Sequence, residues 1–77
     1  MRNRVQELRA EFGWTQEELG TRVGVSRQAI NAIEGGKHDP SIDLAFRISA
    51  LFNQPVEAIF VNPHRGKQGD SGRRRSV

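Results

Sequence analysis

The chain of 77 residues has no cysteine and no tyrosine, one tryptophan and four phenylalanines. Without cysteine, neither a disulfide framework nor a thiolate zinc site is open to it. A fold this small must then rest on a core of Leu, Ile, Val and Phe. Long apolar runs are missing as well. No stretch reaches the length of about eighteen apolar residues that a membrane span needs, and no apolar signal segment stands at the start. The two histidines have no cysteine beside them, so no metal and no cofactor is expected. No nucleophile stands beside a base, no glycine loop is followed by Lys and Ser or Thr, and no carboxylates pair, so we expect no enzyme. Internal repeats are absent, and no segment alternates apolar with polar residues over a strand's length, so no sheet is expected. What remains is one small all-α domain, about half the usual domain length.

The net charge of +3 divides unevenly along the chain. Residues 1 to 64 carry seven basic side chains (Arg2, Arg4, Arg9, Arg22, Arg27, Lys37 and Arg47) against eight acidic ones, so the body is slightly acidic. The segment RGKQGDSGRRRSV from residue 65 onward carries five basic groups, one acid and a single apolar side chain. It cannot bury enough surface to offset its ordering entropy. We therefore expect a body over residues 1–62 and a flexible basic tail over 63–77.

Helical spacing organises the body. Between Asn3 and Phe12, apolar Val5, Leu8 and Phe12 recur three and four residues apart, and Gly13 is a candidate left-handed end. Thr15 and Glu18 are spaced as a capping box for a second helix from Gln16, with Trp14 and Leu19 as the flanking staple. That helix turns Leu19 and Val23 inward and stops at Gly24. Ser26 then offers a cap to a third helix ending near Glu34, with Ile30 and Ile33 as its inner stripe. Gly35 and Gly36 close it. Ser41 caps a fourth helix that holds Leu44, Ala45, Ile48, Leu51 and Phe52. Asn53 supplies its end, and Pro55 takes the first position of a short fifth helix containing Ile59 and Phe60.

Two short helices joined through Gly24, Val25 and Ser26 form the pattern of a helix-turn-helix, whose second helix lies in a DNA major groove. The segment TQEELGTRVGVSRQAINAIEGGKHDPS resembles the helix-turn-helix core of the phage Cro and repressor type, the XRE family, and the likeness spans roughly Arg2 to Phe60. Gln16, Leu19, Gly24, Val25, Ser26, Ile30, Ile33, Glu34, Gly36, Lys37 and Pro40 fall in family register. Gly20 departs from it, standing where the family usually has Ala, and Gly35 stands where it often has Asn. Gly20 lowers helix propensity by about 1 kcal/mol relative to Ala, which suggests a soft second helix.

On this register Arg27, Gln28 and Asn31 face outward from the third helix and are the expected base readers. Arginine pairs with guanine O6 and N7, while Gln or Asn pairs with adenine N6 and N7. Ser26 is expected both to cap its helix and to meet a phosphate. The resemblance implies that Gln16, exposed in the first turn of its helix, contacts a phosphate and braces the recognition helix, and that Lys37 and His38 touch the DNA backbone. An acid at the end of a DNA-facing helix repels both phosphate and the helix terminus, so Glu34 must be held inward. The resemblance implies Arg9 as its partner in an ion pair that is at least partly buried.

The expected function is that of a sequence-specific regulator, most simply a prokaryotic or phage-type repressor in the cytoplasm, associated with the nucleoid. One half-site of a few base pairs discriminates too little, so a homodimer on a palindromic operator of double-stranded DNA is expected. Val56, Ile59, Phe60 and Val61 are the candidate dimer surface. A protein-interaction module, such as the DNA-binding antitoxin of a toxin pair, is the alternative, since fold alone does not separate the two.

Overall fold

Capping side chains and turns partition the body into helices. Thr15, Ser26 and Ser41 each take an extended backbone and accept, through the side-chain oxygen, the N–H of the residue three positions on. The computed structural model describes residues 1–64. It contains α1 (Val5–Glu11), α2 (Gln16–Val23), α3 (Arg27–Glu34), α4 (Ile42–Phe52) and α5 (Val56–Ile59), with no strand among the described residues. The expected tail lies, from residue 65 on, outside them. No helix among these residues is long and apolar enough to cross a membrane.

The apolar stripes converge on one core. Val5 and Leu8 of α1, Leu19 and Val23 of α2, Ile30 and Ile33 of α3, Ala45, Ile48 and Phe52 of α4, then Ile59 and Phe60, are all buried. Trp14, Val25, Leu44, Leu51 and Val56 pack partly buried around them. The Thr15 and Glu18 box forms completely: the hydroxyl accepts the Glu18 N–H at 3.0 Å, and the Glu18 carboxylate accepts the Thr15 N–H at 2.8 Å.

Four local expectations need correction. First, α1 begins at Val5 because Asn3 turns its amide to tertiary use: its oxygen accepts the Val5 N–H while its nitrogen donates to the Ile33 carbonyl. Second, Phe12 follows α1 and stays 48% exposed; its ring meets Trp14 at 4.9 Å and Phe52 at 5.3 Å, covering the rim of the core. Third, Pro55 caps α5 in an extended conformation, one position before the helix proper. The fourth concerns Gly20. Its carbonyl accepts N–H bonds from both Gly24 and Val25, at 2.8 and 2.9 Å, and a Cβ at this position would lie 2.6 Å from the Val25 carbonyl oxygen. Glycine here is what lets the turn lie flat on α2, so it tightens the junction that propensity alone reads as soft.

Gly24 adopts φ 81°, the left-handed geometry that reverses the chain between α2 and α3. Arg47 of α4 secures the same corner, donating to the Val23 carbonyl at 3.1 Å while its Nε pairs with Asp43 at 2.9 Å. The ends of the body also meet: Arg4 donates its backbone N–H to Ile59 and Val61 donates to Arg2, both at 2.8 Å, framing an isolated antiparallel bridge between Asn3 and Phe60.

Candidate nucleic-acid interface

The first turn of α3 follows directly from Ser26, whose Oγ accepts the Ala29 N–H at 3.1 Å. That cap leaves Arg27 and Gln28 exposed at the free end of the helix, and neither side chain bonds another residue among the described ones. Behind them, Ile30 and Ile33 are buried to 0% and 1% exposure, so the register of α3 is locked by the core. Ala29 and Ala32 flank the outer face as small, half-buried residues.

At the far end of α3, Glu34 is sealed, with 4% of its side chain exposed. Arg9 Nε donates to its Oε2 at 2.7 Å and Arg9 Nη2 to its Oε1 at 3.3 Å; Gln16 Nε2 donates to the same Oε1 at 2.9 Å. Arg9 Nη1 also donates to the Trp14 carbonyl at 2.8 Å. One arginine thus joins α1, the entry to α2 and the end of α3. Charge-assisted bonds of this kind are the strong ones, and here they neutralise an acid that would otherwise face phosphate.

Gln16 is half-buried and committed by one amide hydrogen to Glu34, where exposure was expected. Its position in the first turn of α2 makes the pairing possible, because that turn packs beside the end of α3. Lys37 and His38 are exposed, and both donate backbone N–H groups to the Ala32 carbonyl, which folds their loop back against the helix. Gln16, Asn31 and Lys37 come together around a shallow cleft of about 270 Å³, with Gln6 of α1 at its rim. Sequence spacing gave no sign of Gln6, since its neighbour across the cleft lies on another element. His38 does not line this cleft.

Residues 5–59 match the family model described as Helix-turn-helix. The chain belongs to the helix-turn-helix family. It is a transcriptional regulator with a helix-turn-helix DNA-binding domain, and the XRE-type resemblance of the sequence is borne out. It is 51% identical over 61 residues to an uncharacterized HTH-type transcriptional regulator of Archaeoglobus fulgidus, covering 79% of this chain and 86% of the relative. Identity to the uncharacterized HTH-type transcriptional regulator YgzD of Bacillus subtilis is 50% over 60 residues, or 78% of this chain and 91% of YgzD. Among solved structures, the SinR protein/SinI protein complex contains a similar chain with TM-score 0.68 at 20% identity, over 95% of this chain and 81% of that one. A hypothetical transcription factor NHTF from Neisseria gives 0.66 at 20%, over 83% and 74%. At that identity the likeness speaks for the helix-turn-helix fold.

The expected dimer surface is altered. Ile59, at 1% exposure, closes the core of the helix-turn-helix body and is not free to face a partner, and Phe60, at 5%, is largely spent on the core with only an edge reaching the surface groove. Val56 is half-buried and Val61 is 47% exposed. Val56 lines an apolar groove of about 470 Å³ with Pro40, Ile42 and Pro63. Ile42 and Phe46, one turn apart on α4, are 72% and 58% exposed. The spacing of α4 had marked only its inward stripe.

Proposed function

We propose that the protein is a repressor that occupies a palindromic operator as a homodimer, with α3 of each copy in a major groove. The exposed Arg27 and Gln28 on a helix held rigidly from behind carry this reading. Arginine discriminates guanine and glutamine adenine by bidentate bonds, each worth about 1 to 3 kcal/mol of selectivity. Ser26, Gln16, Lys37 and His38 act on the backbone and fix register. The residues left for a twofold contact are Val61, exposed outside the groove, and Val56, which lines the groove with Ile42. Such a surface suits an isologous interface, in which one patch meets its own copy.

Selection of bound sites from a random duplex pool tests the reading, with sedimentation run free and on the selected DNA. A palindromic consensus and a dimer at tens of micromolar are expected. A monomer on DNA would remove the dimer. A protein-interaction role is the second reading, favoured by Phe46, which carries the apolar face of α4 beyond the groove. It takes precedence when the pool enriches no sequence.

A further inference from the structure

Arg27, Asn31 and Glu34 follow one another at spacings of four and three, and so share one edge of α3. Along that edge the chemistry changes. Arg27 stands free at the start, while Glu34 at the end is closed over by Arg9 and Gln16. Asn31, one turn before Glu34, is brought beside Gln16, and with Lys37 these residues line the same cleft.

The donors around that cleft are unequally engaged. Gln16 Nε2 has two hydrogens, and Glu34 Oε1 takes one of them at 2.9 Å. The other is available, and its direction is set by that bond. The Asn31 amide and the Lys37 ammonium are exposed and bond no other residue among the described ones. Glu34 at the floor is answered by the Arg9 guanidinium, so an anion entering the cleft meets two amide donors and an ammonium. A group with one negative charge and several acceptor oxygens fits, and that is the chemistry of a phosphodiester.

We propose that Asn31 binds a backbone phosphate of the DNA in this cleft, together with Gln16 and Lys37, and does not read a base. The inference rests on the DNA-binding reading and refines it. Arg27 and Gln28 then carry the base contacts, and Asn31 sets how deeply and at what rotation α3 enters the groove. Gln6 stands at the rim, where its amide extends the donor set toward α1.

The test uses the full chain and the duplex that it selects from a random pool. Enrichment of a consensus by the unaltered protein establishes the parent reading separately. Asn31→Ala is then compared on that duplex and on a scrambled duplex of equal length. Alanine favours helix at this exposed site, so folding is retained and circular dichroism verifies it. Affinity for both duplexes is expected to fall by the same factor, about tenfold for one bond to a charged group, with the selected consensus unchanged. Neutral methylphosphonate substitution, moved one phosphate at a time, should at one of the sensitive positions per half-site cause a smaller loss in Asn31→Ala than in the unaltered protein, the remainder there coming from Gln16 and Lys37, and equal losses in the two proteins at every other position. Asn31→Asp should weaken both duplexes more than Asn31→Ala does. A consensus relaxed at one base pair, with scrambled binding intact, would make Asn31 a reader and overturn the proposal. Unchanged affinity on both duplexes would overturn it too.

Discussion

Arg9→Ala removes one side of an ion pair that the fold has nearly closed from water. Glu34 has 4% side-chain exposure and accepts three hydrogen bonds, two of them from Arg9. In the variant its carboxylate keeps only the Gln16 amide, and the Trp14 carbonyl loses its Arg9 donor as well. The direct attraction lost is about 6 kcal/mol at an effective dielectric of about 20. The desolvation already spent in burying both charges offsets much of that. What remains is an unanswered charge in a nearly closed site, a condition that typically costs about 3 to 5 kcal/mol. Arg9 itself is 16% exposed, so water reaches the vacated space and the lower end, about 3 kcal/mol, is expected. A body of this size has a total stability of roughly 3 to 10 kcal/mol, so the variant is close to unfolding. Urea denaturation followed by far-ultraviolet circular dichroism reads the effect. With a slope of about 1 kcal/mol per molar, the midpoint should fall by about 3 M. Replacing both partners, Arg9→Met with Glu34→Leu, should recover most of the loss, because no charge is left stranded. A loss below about 1 kcal/mol in Arg9→Ala would be that of an exposed pair and would refute the reasoning. A double variant no more stable than the single one would do the same.

The junction at Gly20 sets propensity against packing. Gly20→Ala gains about 1 kcal/mol of helix propensity but drives a Cβ to 2.6 Å from the Val25 carbonyl oxygen, a backbone conflict that costs about 1 to 3 kcal/mol. The thermal midpoint should therefore hold or fall and DNA affinity should drop as the turn shifts; a clear rise in midpoint with affinity unchanged is the contrary outcome. Arg27→Ala should weaken operator binding by about 1 to 3 kcal/mol and relax one base position, whereas Lys37→Ala should weaken all duplexes alike and lower the salt slope by about 1. Equal losses on specific and random DNA for both variants would remove Arg27 as a reader. The Glu7 carboxyl is held below its ordinary value by hydrogen bonds from Arg4 and by that residue's positive charge. Its contribution to stability is thus present above the ordinary carboxylate range and is lost as pH falls through the lowered value. Glu7→Gln should flatten that part of the acid limb at low salt, and an unaltered limb would show the pair to be idle. Truncation after His64 removes five basic groups and one acid, and should reduce nonspecific affinity and its salt dependence more than specificity.

Much of the fold was legible because its signals are local. Thr15 with Glu18, Ser26, Ser41 and Asn53 announce helix ends within three or four residues, and each performs that role. The inward stripes of α2 and α3 were equally plain, since two buried residues per helix suffice to define a face. Phe12 was misplaced because period alone cannot tell a core position from a rim position that an aromatic neighbour completes. Gly20 was misjudged for a related reason: propensity is a property of one helix, while its meaning here comes from a carbonyl five residues on. At the interface, Arg27 and Gln28 were visible as an outward pair. The relation of Asn31 to Gln16 and Gln6 joins three helices and has no imprint in spacing.

The bridge between Asn3 and Phe60 brings residues 2 and 61 within one hydrogen bond of each other. Order along the chain and order in space are therefore separable. A linker of a few residues would span that gap without crossing the fold, and new ends can be opened beside Gly13, whose surroundings hold no atom within 4 Å of an added Cβ. The permuted chain would synthesise α2 and then the recognition helix first and α1, with Arg9, last, so that Glu34 waits for its counter-charge until the final segment arrives.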